Sequence, residues 1–192
     1  MLKEAMLAMR VTDMDYAPEI CRLLKSAEKY RLTLAVENCF EPSTTAREAM
    51  GLVRQFRSEY LGLCHDCGHA NLMEPMDGRV VADMVGFIQS AWKPGIPAFT
   101  PGIPEFMAPE IVTVHIHDND GLNDQHAMLD EHGTIDWKRI AGVLSRSPRL
   151  ISLQSETEIP PDSPLSIADL TASFQKLEIF LPKEDAKSSD LN

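Results

Sequence analysis

The chain has 192 residues, of which 44% are hydrophobic and 24% charged, a composition typical of one globular domain with its own core. The formal net charge of −11 counts against nucleic-acid binding, which needs a basic face, and no cluster of Lys and Arg stands out. No apolar run approaches the ~20 residues of a bilayer span, and the N-terminus lacks a signal-peptide pattern, so we expect a cytoplasmic protein.

Helices and strands are predicted to alternate along the chain. Residues 1–15 carry weak signals, and the first helix is predicted from Asp15 to about Tyr30, with Pro18 in its first turn. Short apolar runs predict four strands, at 32–36, at 60–64, from Ile111 onward and at 150–153. Apolar residues at helical spacing predict further helices at 46–57, 80–91, 137–144 and 166–180.

Two segments interrupt this rhythm. Residues 93–109 contain five prolines and two glycines, which predicts a long loop without helix or central strand. The polar tail at 183–192 is predicted to be flexible. The remaining pattern, one helix followed by four strand–helix units, predicts a single α/β domain over 1–192, built on a parallel sheet with right-handed crossovers.

Every predicted strand ends in side chains that can bind a metal or move a proton. These are Glu37 after the first strand, Asp66 with His69 after the second, His115 in the third and Glu156 after the fourth. The carboxyl ends of parallel strands lie on one face of the sheet, so residues far apart in sequence should converge there. For Glu37 a plain helix-capping role is the alternative.

Histidine and aspartate are unusually dense in the stretch from His115 to His126. Imidazole and carboxylate together suit divalent ions such as Zn and Mn. The four cysteines are expected to be free thiols, since nothing indicates secretion. Cys64 and Cys67 have C-x-x-C spacing, which leaves a redox or zinc pair as an alternative.

Five short motifs together resemble the xylose-isomerase-like TIM-barrel superfamily, which includes sugar isomerases, epimerases and the endonuclease IV group. The motifs are VEN at 36–38, HDCGHAN at 65–71, VHIHDNDG at 114–121, D-x-H at 124–126 and GTIDW at 133–137. The resemblance covers about residues 17–180. It implies a partial (β/α)8 TIM barrel whose roughly four βα units correspond to the C-terminal half, with the N-terminal half missing.

The resemblance also implies a ligand set. A divalent ion (Mn, Zn, Mg or Co) would be held by Glu37, Asp66, His115 and Glu156. Substrate-binding or supporting roles fall on His69, His117, Asp118, Asp124 and His126. The last strand reads LQSETE, so Gln154 or Glu158 could take the place of Glu156.

The implied activity is that of a metal-dependent isomerase or epimerase of sugar metabolism. Glu37 and Glu156 would be catalytic, moving a proton on a small keto-sugar or polyol through an enediolate. The alternatives are an endonuclease IV-like DNA repair enzyme and a truncated, non-catalytic half-barrel. A half-barrel leaves two strand edges open and an apolar layer uncovered, which predicts a homo-oligomer or a complementing chain.

Overall fold

The computed structural model describes residues 17–75, 87–129, 133–159 and 161–178. Its centre is a parallel sheet of four strands in the order β1-β2-β3-β4, which confirms the predicted architecture of a partial α/β barrel. The strands are β1 (Leu34–Glu37), β2 (Leu61–Asp66), β3 (Ile111–Ile116) and β4 (Ser152–Ser155). The weakly patterned residues 1–15, the first part of the helix predicted at 80–91, and the 183–192 tail lie outside the described residues.

Helices separate the strands along the chain. They are α1 (Ala17–Tyr30), α2 (Ala46–Phe56), α3 (Cys67–Met73), α4 (Phe87–Trp92), α5 (Ile103–Met107), α6 (Trp137–Leu144) and α7 (Ile167–Glu178). Side-chain caps mark the starts of α2 and α6: Thr45 accepts from the backbone N–H of Glu48, and Asp136 accepts from that of Arg139. The predicted starts of α2 and α6 are therefore confirmed.

Three predicted boundaries were wrong. The spacing of Asp66 and His69 predicts a turn between them, whereas these residues begin helix α3, because the Asp66 side chain caps its backbone. The segment 93–109 contains α5, whose Pro104 sits in the first turn, where its missing N–H costs nothing. Strand β4 lies two residues later than predicted, because its ladder with Thr113–Ile116 continues through polar Gln154.

The core lies between the sheet and the helices that contact it. All six residues of β2 are buried, as expected for a central strand of a parallel sheet, and α2, α3 and α5 contact this strand. Met50, Leu63 and Met107 are among the fully buried apolar side chains.

The face of β3 and β4 that carries Thr113 and Ser152 is polar. Thr113 Oγ1 lies 2.9 Å from Ser152 Oγ and accepts from Gln154 Nε2, also at 2.9 Å. The uncovered layer was expected to be apolar, and this part of it is a hydrogen-bonded polar patch instead.

All four cysteines are free, as predicted. In the described part of the chain, β1 and β4 each pair with one neighbour and form the two edges of the sheet. Among the described residues, no helix has the length and apolar character needed to span a bilayer.

Candidate metal centre

The strand register brings the predicted ligands together at the carboxyl ends of the strands. Glu37 pairs with Cys64 across β1 and β2, and Asp66 pairs with His115 across β2 and β3. Glu156 follows β4 directly, and its backbone N–H donates to the carbonyl of Ile116. Because the strands are parallel, all four side chains lie at the carboxyl ends of the strands.

The four side chains converge around the imidazole of His115. Its Nδ1 lies 3.1 Å from Glu156 Oε2, 3.6 Å from Asp66 Oδ2 and 3.7 Å from Glu37 Oε2. One donor atom from each of the four residues lies within 4.8 Å of the others. Residues separated by as many as 119 positions in sequence, Glu37 and Glu156, therefore share one small volume.

Charge in this cluster is strongly coupled. Burial alone would raise the pKa of Glu37, but interactions with His115 and His69 lower it to about 2. Burial likewise opposes ionisation of Asp66, yet the neighbouring imidazoles of His115 and His117 hold its pKa well below the usual value. The same carboxylates overcome the effect of burial on His115 and raise its pKa. Glu37 and Asp66 are therefore ionised and attract positive charge into the cluster.

These residues fit a divalent cation. Three carboxylates and one imidazole are the donors that Zn and Mn accept, and four such donors leave coordination positions open. His115 Nδ1 is buried and makes no hydrogen bond of good geometry with any residue the structure describes, although three carboxylate oxygens lie within 3.7 Å. A buried ring nitrogen that faces three carboxylates is a set of donors that a divalent cation can bind.

A second group of donors adjoins the first. His69 Nε2 lies 3.3 Å from Asp124 Oδ2, and His126 Nε2 lies 3.4 Å from Asp124 Oδ1. Burial would lower the pKa of His69, but hydrogen bonding to Asp124 raises it well above its usual value. His126 has φ of 47°, a backbone conformation that residues other than glycine adopt at a cost. The loop therefore accepts strain that places this imidazole beside the cluster.

His117 holds the Asp66 carboxylate in place. It is fully buried, and its Nε2 lies 3.1 Å from each Asp66 oxygen. Its ring also stacks on His126 with centroids 4.0 Å apart. The helix backbone comes very close to this ring: a Cβ on Gly68 would lie 2.1 Å from His117 Cε1. Only glycine at position 68 lets the imidazole reach Asp66.

Asn38 ties the first two strand ends together. Its side chain donates to the carbonyl of Asp66 at 3.1 Å and accepts from the backbone N–H of Asp66 at 2.9 Å. Its own carbonyl lies 3.1 Å from His69 Nδ1. Sequence reasoning did not single out Asn38 or Gly68, although both stand inside the motifs that carried the resemblance.

Asp118 lies apart from these donor groups. Its buried carboxylate accepts from the indole Nε1 of Trp137 at 2.7 Å and from the backbone N–H of Asn119 at 2.8 Å. Gly133 approaches it so closely that a Cβ there would lie 2.0 Å from its carboxyl carbon. Asp118 therefore fixes the loop before α6.

The alternatives to Glu156 point elsewhere. Gln154 donates to Thr113, and the side chain of Glu158 is exposed. Glu158 belongs to none of the donor groups in the part of the chain that the structure describes.

His65 faces away from the centre, because neighbouring residues of a strand point to opposite faces. It is fully buried, and neither ring nitrogen has a hydrogen-bond partner among the described residues. Burial disfavours its charged form and lowers its pKa to about 4.

A parallel α/β sheet with a ligand cluster at its carboxyl edge is characteristic of TIM-barrel proteins, here with four strands. The family model described as "Xylose isomerase-like TIM barrel" matches residues 10–176, so the chain belongs to this family.

Two known proteins are similar to this chain over part of their own length. A crystal structure of a D-tagatose 3-epimerase-like protein superposes with a TM-score of 0.52 at 18% identity, covering 84% of this chain and 51% of that one. This likeness shows the fold, and the chain spans about half the length of that structure. An uncharacterized protein of Sinorhizobium fredii, y4fM, is 26% identical over 106 residues, which are 55% of this chain and 26% of that protein.

Proposed function

We propose that the chain carries the metal-dependent site of a sugar isomerase or epimerase, which acts on a small keto-sugar or polyol by moving a proton at carbon. The observation that carries this proposal is the convergence of Glu37, Asp66, His115 and Glu156, with donor atoms within 4.8 Å of one another. Membership of the xylose isomerase-like family supports it.

The roles of the side chains follow from their positions. A divalent ion (Mn, Zn, Mg or Co) in this cluster supplies Lewis acidity toward substrate oxygens. Glu37 and Glu156 approach from the two outermost strands of the described sheet, so they can face opposite sides of a substrate. Glu37 is ionised at neutral pH, the state needed to accept a proton. Glu156, protonated beforehand from solvent, would then give its proton to the other side of the enediolate, and proton exchange with water would reset both glutamates.

The neighbouring histidines would orient the substrate. His69, whose pKa is raised, can donate a hydrogen bond from Nε2 to a substrate oxygen that displaces Asp124 Oδ2. His117 keeps the Asp66 carboxylate turned toward the cluster.

Solvent deuterium incorporation tests this proposal. The chain, loaded with Mn2+ or Co2+, is incubated in D2O with a panel of keto-pentoses and keto-hexoses, and deuterium at carbon is followed by NMR. We expect exchange with at least one sugar, reduced about 100-fold or more in Glu37→Gln and Glu156→Gln. Glu158→Gln is the matched control, since its exposed side chain lies outside the donor groups, and it should exchange at the wild-type rate.

Metal content is measured for every variant, so that loss of the ion is distinguished from loss of the proton carrier. No exchange with any sugar by the metal-loaded chain would contradict the proposal. Equal exchange by wild type and both glutamine variants would contradict the assigned roles.

An endonuclease IV-like DNA repair activity is the second candidate. The adjoining donors of His69, Asp124 and His126, which lie within 4.8 Å of one another, favour it by offering a place for a further ion. The net charge of −11 opposes it, because phosphate contacts require basic side chains. Cleavage of a duplex containing one abasic site by the Zn2+-loaded chain would establish this activity. If the chain shows no proton exchange, no DNA cleavage and no bound metal, the remaining interpretation is a non-catalytic half-barrel.

The open edges of the sheet bear on how the site works. β1 and β4 each expose one side of their backbone in the described residues, and exposed edges promote association with another strand. We propose that a second copy or a complementing chain covers these edges and supplies further substrate contacts. Light scattering should show an assembly larger than one chain, and a monodisperse monomer with a cooperative melt would contradict this.

A further inference from the structure

We propose that Cys64 is an additional ligand of the same centre and gives it a preference for soft divalent ions. This inference rests on the metal-binding part of the proposed function. It assigns a role to a side chain that sequence reasoning had treated as a plain thiol or as half of a C-x-x-C pair.

The strand geometry places this thiol beside the centre. Cys64 precedes Asp66 by two residues on β2, so both side chains point to the same face of the sheet. It is also the register partner of Glu37 on β1. Its side chain is buried, with 3% of the residue exposed.

Two sets of donors overlap at this point. The ligand atoms of Glu37, Cys64 and His115 lie within 4.8 Å of one another, and so do those of Glu37, Asp66, His115 and Glu156. Glu37 and His115 belong to both sets. An ion among these donors can therefore be held by the three carboxylates and the imidazole, or by Glu37 and His115 together with the Cys64 sulfur.

Ligand softness decides which set an ion prefers. Thiolate selects Zn2+, Cd2+ and Co2+ over Mg2+ and Mn2+, which favour oxygen donors. When the sulfur–metal bond forms, the thiol proton is released to water, as for other metal-binding cysteines. Zn2+ and Co2+ should therefore engage Cys64, while Mg2+ and Mn2+ remain with the carboxylates.

Cys67 provides the matched comparison within the same motif. It is as buried as Cys64, with 1% of the residue exposed, but it belongs to none of the donor groups among the residues described. Replacing either cysteine by serine changes one buried sulfur to oxygen. A difference between the two variants in metal binding therefore reports position and not the loss of a core thiol.

Cobalt spectroscopy on the full chain tests the proposal. Co2+ bound by a thiolate gives intense sulfur-to-metal charge-transfer absorption in the near ultraviolet, and bound Co2+ gives ligand-field bands in the visible whatever its donors. We expect both signals in wild type and in Cys67→Ser, and only the visible bands in Cys64→Ser. The affinity of Cys64→Ser for Cd2+ should fall by at least about tenfold, with the affinity for Mn2+ unchanged within about twofold.

The outcomes separate this inference from the proposed function. Visible bands without charge transfer in wild type, or charge transfer that persists in Cys64→Ser, would overturn the role of Cys64 and leave the carboxylate site standing. No cobalt binding at all would overturn both. If Cys64→Ser does not fold, X-ray absorption of the Zn2+-loaded wild type decides: a sulfur neighbour at about 2.3 Å supports the proposal, and only nitrogen and oxygen neighbours refute it.

Discussion

Gly68→Ala is the substitution that should damage the centre most with the smallest chemical change. The added methyl group would lie 2.1 Å from Cε1 and 2.6 Å from Nδ1 of His117, whereas ordinary contact begins near 3.4 Å. The imidazole must therefore move by more than about 1 Å, since core packing leaves no slack. His117 is fully buried and bonded to both oxygens of Asp66, so this movement withdraws support from a proposed ligand.

The magnitude follows from opposing terms. Alanine in place of glycine in a helix stabilises by about 1 kcal/mol. Overpacking costs about 1–3 kcal/mol, and losing hydrogen bonds to a buried carboxylate costs about 1.5–3 kcal/mol more. We expect the free energy of unfolding to fall by about 1.5–5 kcal/mol, and metal affinity to fall about 10–100-fold.

Urea unfolding and isothermal titration with Mn2+ measure the two effects. Gly51→Ala is the control, because it is also a helix glycine but a Cβ there meets nothing within 4 Å, and it should gain up to about 1 kcal/mol. In a His117→Ala background the added methyl has room, so Gly68→Ala should lose its packing cost there. Stabilisation of the wild-type chain by Gly68→Ala would refute the packing argument.

Three further substitutions test the surroundings of the centre. Below pH 6.5 His65 is protonated in the unfolded chain but not in the folded chain, where its pKa is about 4. Relative to His65→Phe, wild type should therefore lose about 1.4 kcal/mol of stability per pH unit between pH 6.5 and 4. Urea unfolding that gives the same pH dependence of stability for both proteins would contradict this. Asn38→Ala leaves the buried backbone groups of Asp66 unpaired and should cost about 2–4 kcal/mol in urea unfolding; a loss below about 0.5 kcal/mol would show that this link is dispensable. Trp137→Phe removes the indole donor to buried Asp118 and should lower the unfolding free energy by about 2 kcal/mol, whereas wild-type stability would mean the bond is not made in solution.

The sheet and the convergence of the proposed ligands were predictable from sequence, because both follow from chain polarity. Short apolar runs that end in Glu37, Asp66 and Glu156 indicate strands that point the same way, and parallel strands must bring their ends together. The helix starts at Thr45 and Asp136 were predictable because one side chain caps each of them.

Features that depend on contact distance were not predictable. The sequence around Gly68 does not indicate that His117, 49 positions later, will pack against its backbone. The role of Asn38 depends on two hydrogen bonds across neighbouring strands, and the role proposed for Cys64 depends on the register between β1 and β2. Helix α5 was missed because proline was read as a breaker, although Pro104 occupies a first-turn position.

The metal-site assignment is tested most directly by crystals grown with Mn2+ and measured at its absorption edge. We predict one strong anomalous peak within coordination distance of Glu37, Asp66, His115 and Glu156. A map with no peak among these four side chains, or with manganese held only by carboxylates elsewhere on the surface, would contradict the assignment and the proposed function that depends on it.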